Sequence, residues 1–149
     1  MYSQRRIIIT HAEELRRVTR NENLRYITQQ VVRITERTVN MIIGTLPDSV
    51  CTSALLHTMR NAIHELVSEN DKIEMIKTYD IDILPLVEGI IANAKVIIID
   101  SREIMLNALS RQKNQSNIKI ECADIFANSA LLSIDGLAVL HCSPMISRA

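Results

Sequence analysis

Short apolar runs along the chain predict β-strands. Runs rich in β-branched residues occupy positions 6–9, 96–99 and 118–121, and two short apolar stretches lie within 130–142. The first two runs lead directly into helical patterns. Asp135 and Gly136 separate the last two stretches, as expected for a hairpin turn. These patterns predict a small sheet contributed mostly by the C-terminal half.

Apolar residues spaced by three and four positions predict a helical hairpin over about 24–69. Gly44 is placed to end the first helix as a left-handed cap, and "LPDS" at 46–49 supplies the turn. A further helix is predicted from about 82 to 94, with Pro85 in its first turn. The fold class is therefore α+β and mainly α, in a single domain spanning 1–149.

The apolar faces of this hairpin are wider than a two-helix contact requires. They must therefore pack on the rest of the domain or on another subunit. The residues assigned to this core or subunit interface are Leu24, Ile27, Val31, Ile34, Leu55, Met59 and Ile63.

Charge is balanced over the chain but unevenly distributed. Residues 1–40 contain eight arginines and four glutamates, a net charge of +4, so the remainder carries −4. An arginine-rich end could contact phosphates, or the acidic part of a neighbouring subunit. Because few aromatic residues are available to stack on bases, the composition argues against nucleic-acid binding.

The cysteine count and the hydropathy pattern predict a cytoplasmic protein. The three cysteines form no C-x-x-C pair and are an odd number, which favours reduced thiols. No uninterrupted apolar run approaches the ~20 residues that span a bilayer, so the sequence predicts no membrane partner.

Two groups of polar residues are candidates for binding an anionic small molecule. Asp100 and Arg102 follow the predicted strand 96–99, where a helix N-terminus could bind an anion, although Asp100 could equally cap that helix. The second group, at helical spacing on the second hairpin helix, could bind a phosphate or form a solvated face. It consists of His57, Arg60 and His64, with Asn61 between them.

The chain lacks the common motifs of cofactor and metal sites. Its three glycines form neither G-x-G-x-x-G nor G-x-x-x-x-G-K, and H-E-x-x-H is absent. Asp100 is the strongest single catalytic candidate, but spacing ties no second group to it. The sequence therefore predicts no cofactor, no metal and no assigned catalytic residue, and no known family is indicated.

The leading hypothesis is a non-enzymatic module that forms a homo-oligomer through apolar helix faces. A binding protein or small enzyme for an anionic metabolite or nucleotide is the alternative. Nucleic-acid binding by the arginine-rich N-terminus is a third.

Overall fold

A computed structural model describes residues 2–46, 53–76, 81–110 and 117–142, and these residues form four α-helices. The helices are α1 (Tyr2–Thr45), α2 (Ser53–Glu74), α3 (Leu84–Ser110) and α4 (Asn117–Cys142). No strand occurs among the residues described. The fold over these residues is all-α, and the predicted α+β class is wrong.

The predicted strands all lie inside helices. Residues 6–9 belong to α1, 96–99 to α3, and both 118–121 and 130–142 to α4. Burial explains why a run of isoleucines is helical here: Ile98 is buried, Ile97 is half-buried and Ile99 is exposed. An apolar run of this length fits a buried helix as well as a strand, and packing decides between them. Asp135 and Gly136 are likewise in the middle of α4 and form no hairpin turn.

The predicted helical hairpin is present, but its bounds differ. α1 begins at Tyr2 rather than near Leu24, and α2 continues to Glu74. Gly44 lies within α1, and no described glycine has a positive φ, so the left-handed cap is wrong. Of the predicted turn, Pro47, Asp48 and Ser49 lie outside the described residues.

α3 begins as the sequence predicts but is twice as long as the helix expected there. Pro85 lies in its first turn, where a missing N–H costs no helical hydrogen bond. The backbone N–H of Leu84 donates to Asp82 Oδ1 at 3.1 Å, which satisfies one of the free amides at the helix start. The helix then continues through residues 95–110 without a strand between.

The helices alternate in direction. Residues near Leu24 on α1 share a core cluster with Ile73, Val87 and Ile134, whereas residues near Ile42 share another with Met59, Leu109 and Ala123. From Leu24 to Ile42 along α1, the contacting residues of α2 and α4 therefore have decreasing numbers, and those of α3 have increasing numbers. α1 and α3 thus run parallel, and α2 and α4 run antiparallel to them. Both α1 and α3 pack against all three other helices, while α2 and α4 do not contact each other. This is an up-down-up-down bundle in which α2 and α4 lie on opposite sides.

α4 packs through small residues. Its buried positions are Ala123, Ala127, Ala130 and Ile134, each fully or nearly fully buried against α1 and α3. Alanine brings a helix close to its neighbours because little side chain separates the backbones. Leu131, Ile134 and Leu137 also pack against the core, whereas other large apolar residues of α4 are exposed.

The first part of α1 extends past the bundle. Between residues 12 and 20 no side chain is buried, and burial begins at Asn21. Arg20 Nη2 lies 3.8 Å from Asp82 Oδ1, just before α3, which places this residue at the end of the bundle. We call residues 2–20 the arm.

Candidate interaction surfaces

The polar face predicted on α2 is present and exposed. His57, Arg60, Asn61 and His64 are exposed and line an open depression together with Ser53 and Leu56. Every one of these residues is on α2, and no other helix of the described part of the chain contributes to the depression. The face offers charge and hydrogen-bond donors from one side only, and anion binding there remains a prediction.

The structure separates the second pair of candidate ligand residues. Asp100 and Arg102 are in the middle of α3, where no helix N-terminus is available to bind an anion. Residues two apart on a helix do not face each other. Asp100 is exposed, whereas Arg102 Nε donates to Asp124 Oδ1 of α4 at 2.7 Å.

The residues assigned to the core or a subunit interface lie inside the single chain. Leu24, Ile27, Val31 and Met59 are buried in the bundle. Ile34, Leu55 and Ile63 are half-buried and pack against the same core. Packing in the core of the single chain, the first of the two roles assigned to these residues, accounts for their burial. An interface between subunits would need another surface.

Such a surface lies on the outer side of α4. Ile125, Leu132 and Val139 are 61%, 72% and 56% exposed. They are seven residues apart, so they form one stripe along the helix, and Ser129 and Gly136 lie in the same stripe at intermediate turns. We call these five residues the α4 stripe.

The α4 stripe carries no net charge. Asp135 is the only ionisable residue from 125 to 139, and it pairs with Lys95 Nζ of α3. Ile99 of α3 is also exposed and lies near the level of Ser129, because Lys95 is beside Asp135 and Arg102 beside Asp124. The apolar surface therefore continues from α4 onto the adjoining side of α3.

Sequence reasoning missed this surface because it divided 130–142 into two strands. The signal was nonetheless present. Seven-residue spacing of large apolar residues, with three alanines and Ile134 on the opposite face, is a helical pattern.

A groove runs between α2 and α3 on a different side of the bundle. Its two parts share Glu69 and Asn93, and Asn93 Nδ2 donates to Glu69 Oε2 at 3.1 Å. Apolar side chains dominate the floor, with Gly89 on the wall. The residues that line this α2–α3 groove are Ala62, Glu65, Leu66, Glu69, Lys72, Ile73, Ile76, Pro85, Leu86, Gly89, Ile90, Asn93, Val96 and Ile97.

One stretch of α4 also has the length and hydropathy of a membrane-crossing helix. It spans Lys119–Val139, with 22% of its most apolar window buried in the bundle. Length and composition alone do not distinguish a membrane helix from the packed helix of a bundle.

No metal-binding cluster of three or more His, Cys, Asp or Glu residues occurs within the four described ranges. Comparison of the chain with protein-family models, with curated proteins and with solved structures found no match.

Proposed function

We propose that the protein is an assembly module in which the α4 stripe binds the same stripe of a second copy. The observation that carries this proposal is the orientation of α4. This helix buries three alanines and Ile134, while Ile125, Leu132 and Val139 face solvent. An exposed apolar surface of this kind is typical of an interaction site.

The chemistry of the stripe favours a second copy as the partner. In a two-fold dimer the same patch lies on both sides of the interface, so it must be compatible with itself. An uncharged apolar stripe meets that condition, since no like charges are brought together. Ser129 and Gly136 are small, and the position of a Cβ on Gly136 has nothing within 4 Å, which leaves room for close approach of a second helix.

The expected affinity is moderate. Burying a fully exposed Leu, Ile or Val gives about 1.5–3 kcal/mol. With the exposed fractions of the three large residues, two copies of the stripe supply roughly 6–11 kcal/mol. The loss of translational and rotational freedom costs roughly 4–15 kcal/mol. Ile99 is needed to shift this balance, and we expect this interface alone to form a reversible, concentration-dependent dimer that includes the edge of α3.

The test is Leu132→Asp, which places a charge at the centre of the stripe. Tyr26→Asp is the matched control, because Tyr26 is a similarly exposed helical residue on α1. Sedimentation velocity over a hundredfold concentration range should show a lower average mass for Leu132→Asp than for wild type, and no change for Tyr26→Asp. Circular dichroism checks that both variants stay helical.

Equal masses for wild type and Leu132→Asp would contradict the proposal. Membrane insertion of α4 predicts a different result. Wild type would float with neutral phosphatidylcholine vesicles, Leu132→Asp would not, and the mass in solution would be the same for both proteins.

A further inference from the structure

The two parts of the α2–α3 groove, of about 260 and 200 Å³, could hold side chains from one face of a helix. The lining of the groove on α2 runs from Ala62 to Ile73, a rise of about 16 Å, or three helical turns, and Ile76 follows just after the helix ends. Apolar residues from two antiparallel helices form its floor, as in grooves that accept the apolar face of a third helix.

The rim of the groove is acidic along one part. Glu65 and Glu69 are one turn apart on α2, and in the described part of the chain neither carboxylate is paired with a cation. Asp100 is exposed on α3, one turn beyond the lining residue Val96. Lys72 is the single cation among the described residues that line the groove. The rim therefore favours a helix that carries arginine or lysine beside its apolar residues.

Gly89 keeps one wall of the groove low. It lies inside α3, where glycine weakens a helix relative to alanine. A Cβ at this position would meet no atom within 4 Å. The bundle itself therefore does not require glycine there, whereas a helix lying in the groove would use the space.

The arm of α1 has the complementary properties. Residues 2–20 contain five arginines and two glutamates, a net charge of +3, and Leu15 is 62% exposed. Nineteen residues of helix are about 28 Å long, which is enough to fill the groove. Isolated helices of this length are marginally stable in water, so a packing partner would stabilise the arm.

The arm leaves the bundle at the end where the groove opens. Arg20 lies beside Asp82, and the Arg25 guanidinium donates to the Ile76 carbonyl at the end of the groove lining. Because α1 is one uninterrupted helix, the arm points away from its own groove and cannot enter it without breaking the helix. A second copy related by a two-fold axis at this end could insert its arm while receiving the first.

We propose that two copies exchange arms, each arm packing in the α2–α3 groove of the other copy. The exchange uses a different face from the α4 stripe and does not depend on it. The contact combines the apolar groove floor with the arm's apolar residues, and places its arginines beside the carboxylates of the rim.

The first experiment blocks the groove. Gly89→Leu places a side chain in the groove where the bundle has free space, and Gly44→Leu is the control at another exposed helical glycine. Both are made with Leu132→Asp, which removes the α4 stripe as an interface. By native mass spectrometry we expect the Leu132→Asp background and its Gly44→Leu version to be dimers, and the Gly89→Leu version to be a monomer.

The second experiment exchanges the charges in the same background. The groove-reversed variant carries Glu65→Arg and Glu69→Arg; the arm-reversed variant carries Arg5→Glu, Arg6→Glu and Arg16→Glu. A dimer of either variant with itself would bring like charges together where the arm meets the groove, so we expect each variant alone to be a monomer. A mixture restores opposite charges at both arm–groove contacts, so a heterodimer should form.

The results separate this proposal from that for the α4 stripe. A monomeric background protein, a dimeric Gly89→Leu version, or a mixture without heterodimer would each overturn arm exchange. None of these results concerns the α4 stripe, which is tested by the mass difference between wild type and Leu132→Asp.

Discussion

Asn70 is a polar residue in an otherwise apolar part of α2. Its side chain is buried beside the core, and its Oδ1 accepts no hydrogen bond from the described residues. A buried acceptor without a partner costs about 1–3 kcal/mol. We predict that Asn70→Leu raises the free energy of unfolding by about 1 kcal/mol, measured by urea denaturation.

The control for Asn70 is the same substitution at an exposed site of the same helix. Asn61 is exposed on α2, and Asn61→Leu should change stability by less than about 0.5 kcal/mol. A loss of stability in Asn70→Leu, with Asn61→Leu unchanged, would show that the Asn70 side chain has a hydrogen-bonded role in the folded chain.

At the scale of single helices, replacing Gly44 tests whether α1 continues through this residue or ends there in a left-handed cap. The two cases predict opposite changes in stability. A glycine within a helix is less favourable than alanine, whereas a glycine in a left-handed cap resists replacement. Because Gly44 lies within α1 and its Cβ position is open, we predict that Gly44→Ala raises unfolding free energy by up to ~1 kcal/mol. Urea denaturation measures the change, and destabilisation would instead support a cap.

The helices that the sequence predicts correctly are those with long, regular spacing. Leu24, Ile27 and Val31 recur at three and four residues, so the period identifies the helix before packing is considered. Residues 96–99 are all apolar and contain no period. Only their position between flanking helical turns, with Ile98 in the core, makes them helical.

The candidate sites were predicted only where one helix contains the whole pattern. His57, Arg60 and His64 share a face of α2, and the spacing alone places them together. The groove between α2 and α3 could not be predicted in that way, because Glu69 and Asn93 meet only when the two helices pack. The α4 stripe was hidden by the strand interpretation of the same residues.

For the whole molecule, two proposed interfaces give each copy two neighbours. Because the α4 stripe and the α2–α3 groove lie on different faces, wild type should assemble beyond a dimer, as a closed tetramer or an open chain. We predict that Leu132→Asp and Gly89→Leu each give a dimer, and that the double variant gives a monomer. Native mass spectrometry measures these species, and a dimeric double variant would reveal a third interface.

The continuity of α1 fixes how neighbouring bundles would be oriented. A helix of 44 residues is about 66 Å long, and its backbone hydrogen bonds allow little twisting between its two ends. Two such helices, each belonging to one bundle and bound by the next, would set both the distance and the rotation between the two bundles. Inserting two residues into the arm would then turn its tip by about 200°, so that the side in contact with the groove would point away from it, whereas inserting seven would nearly restore the original rotation.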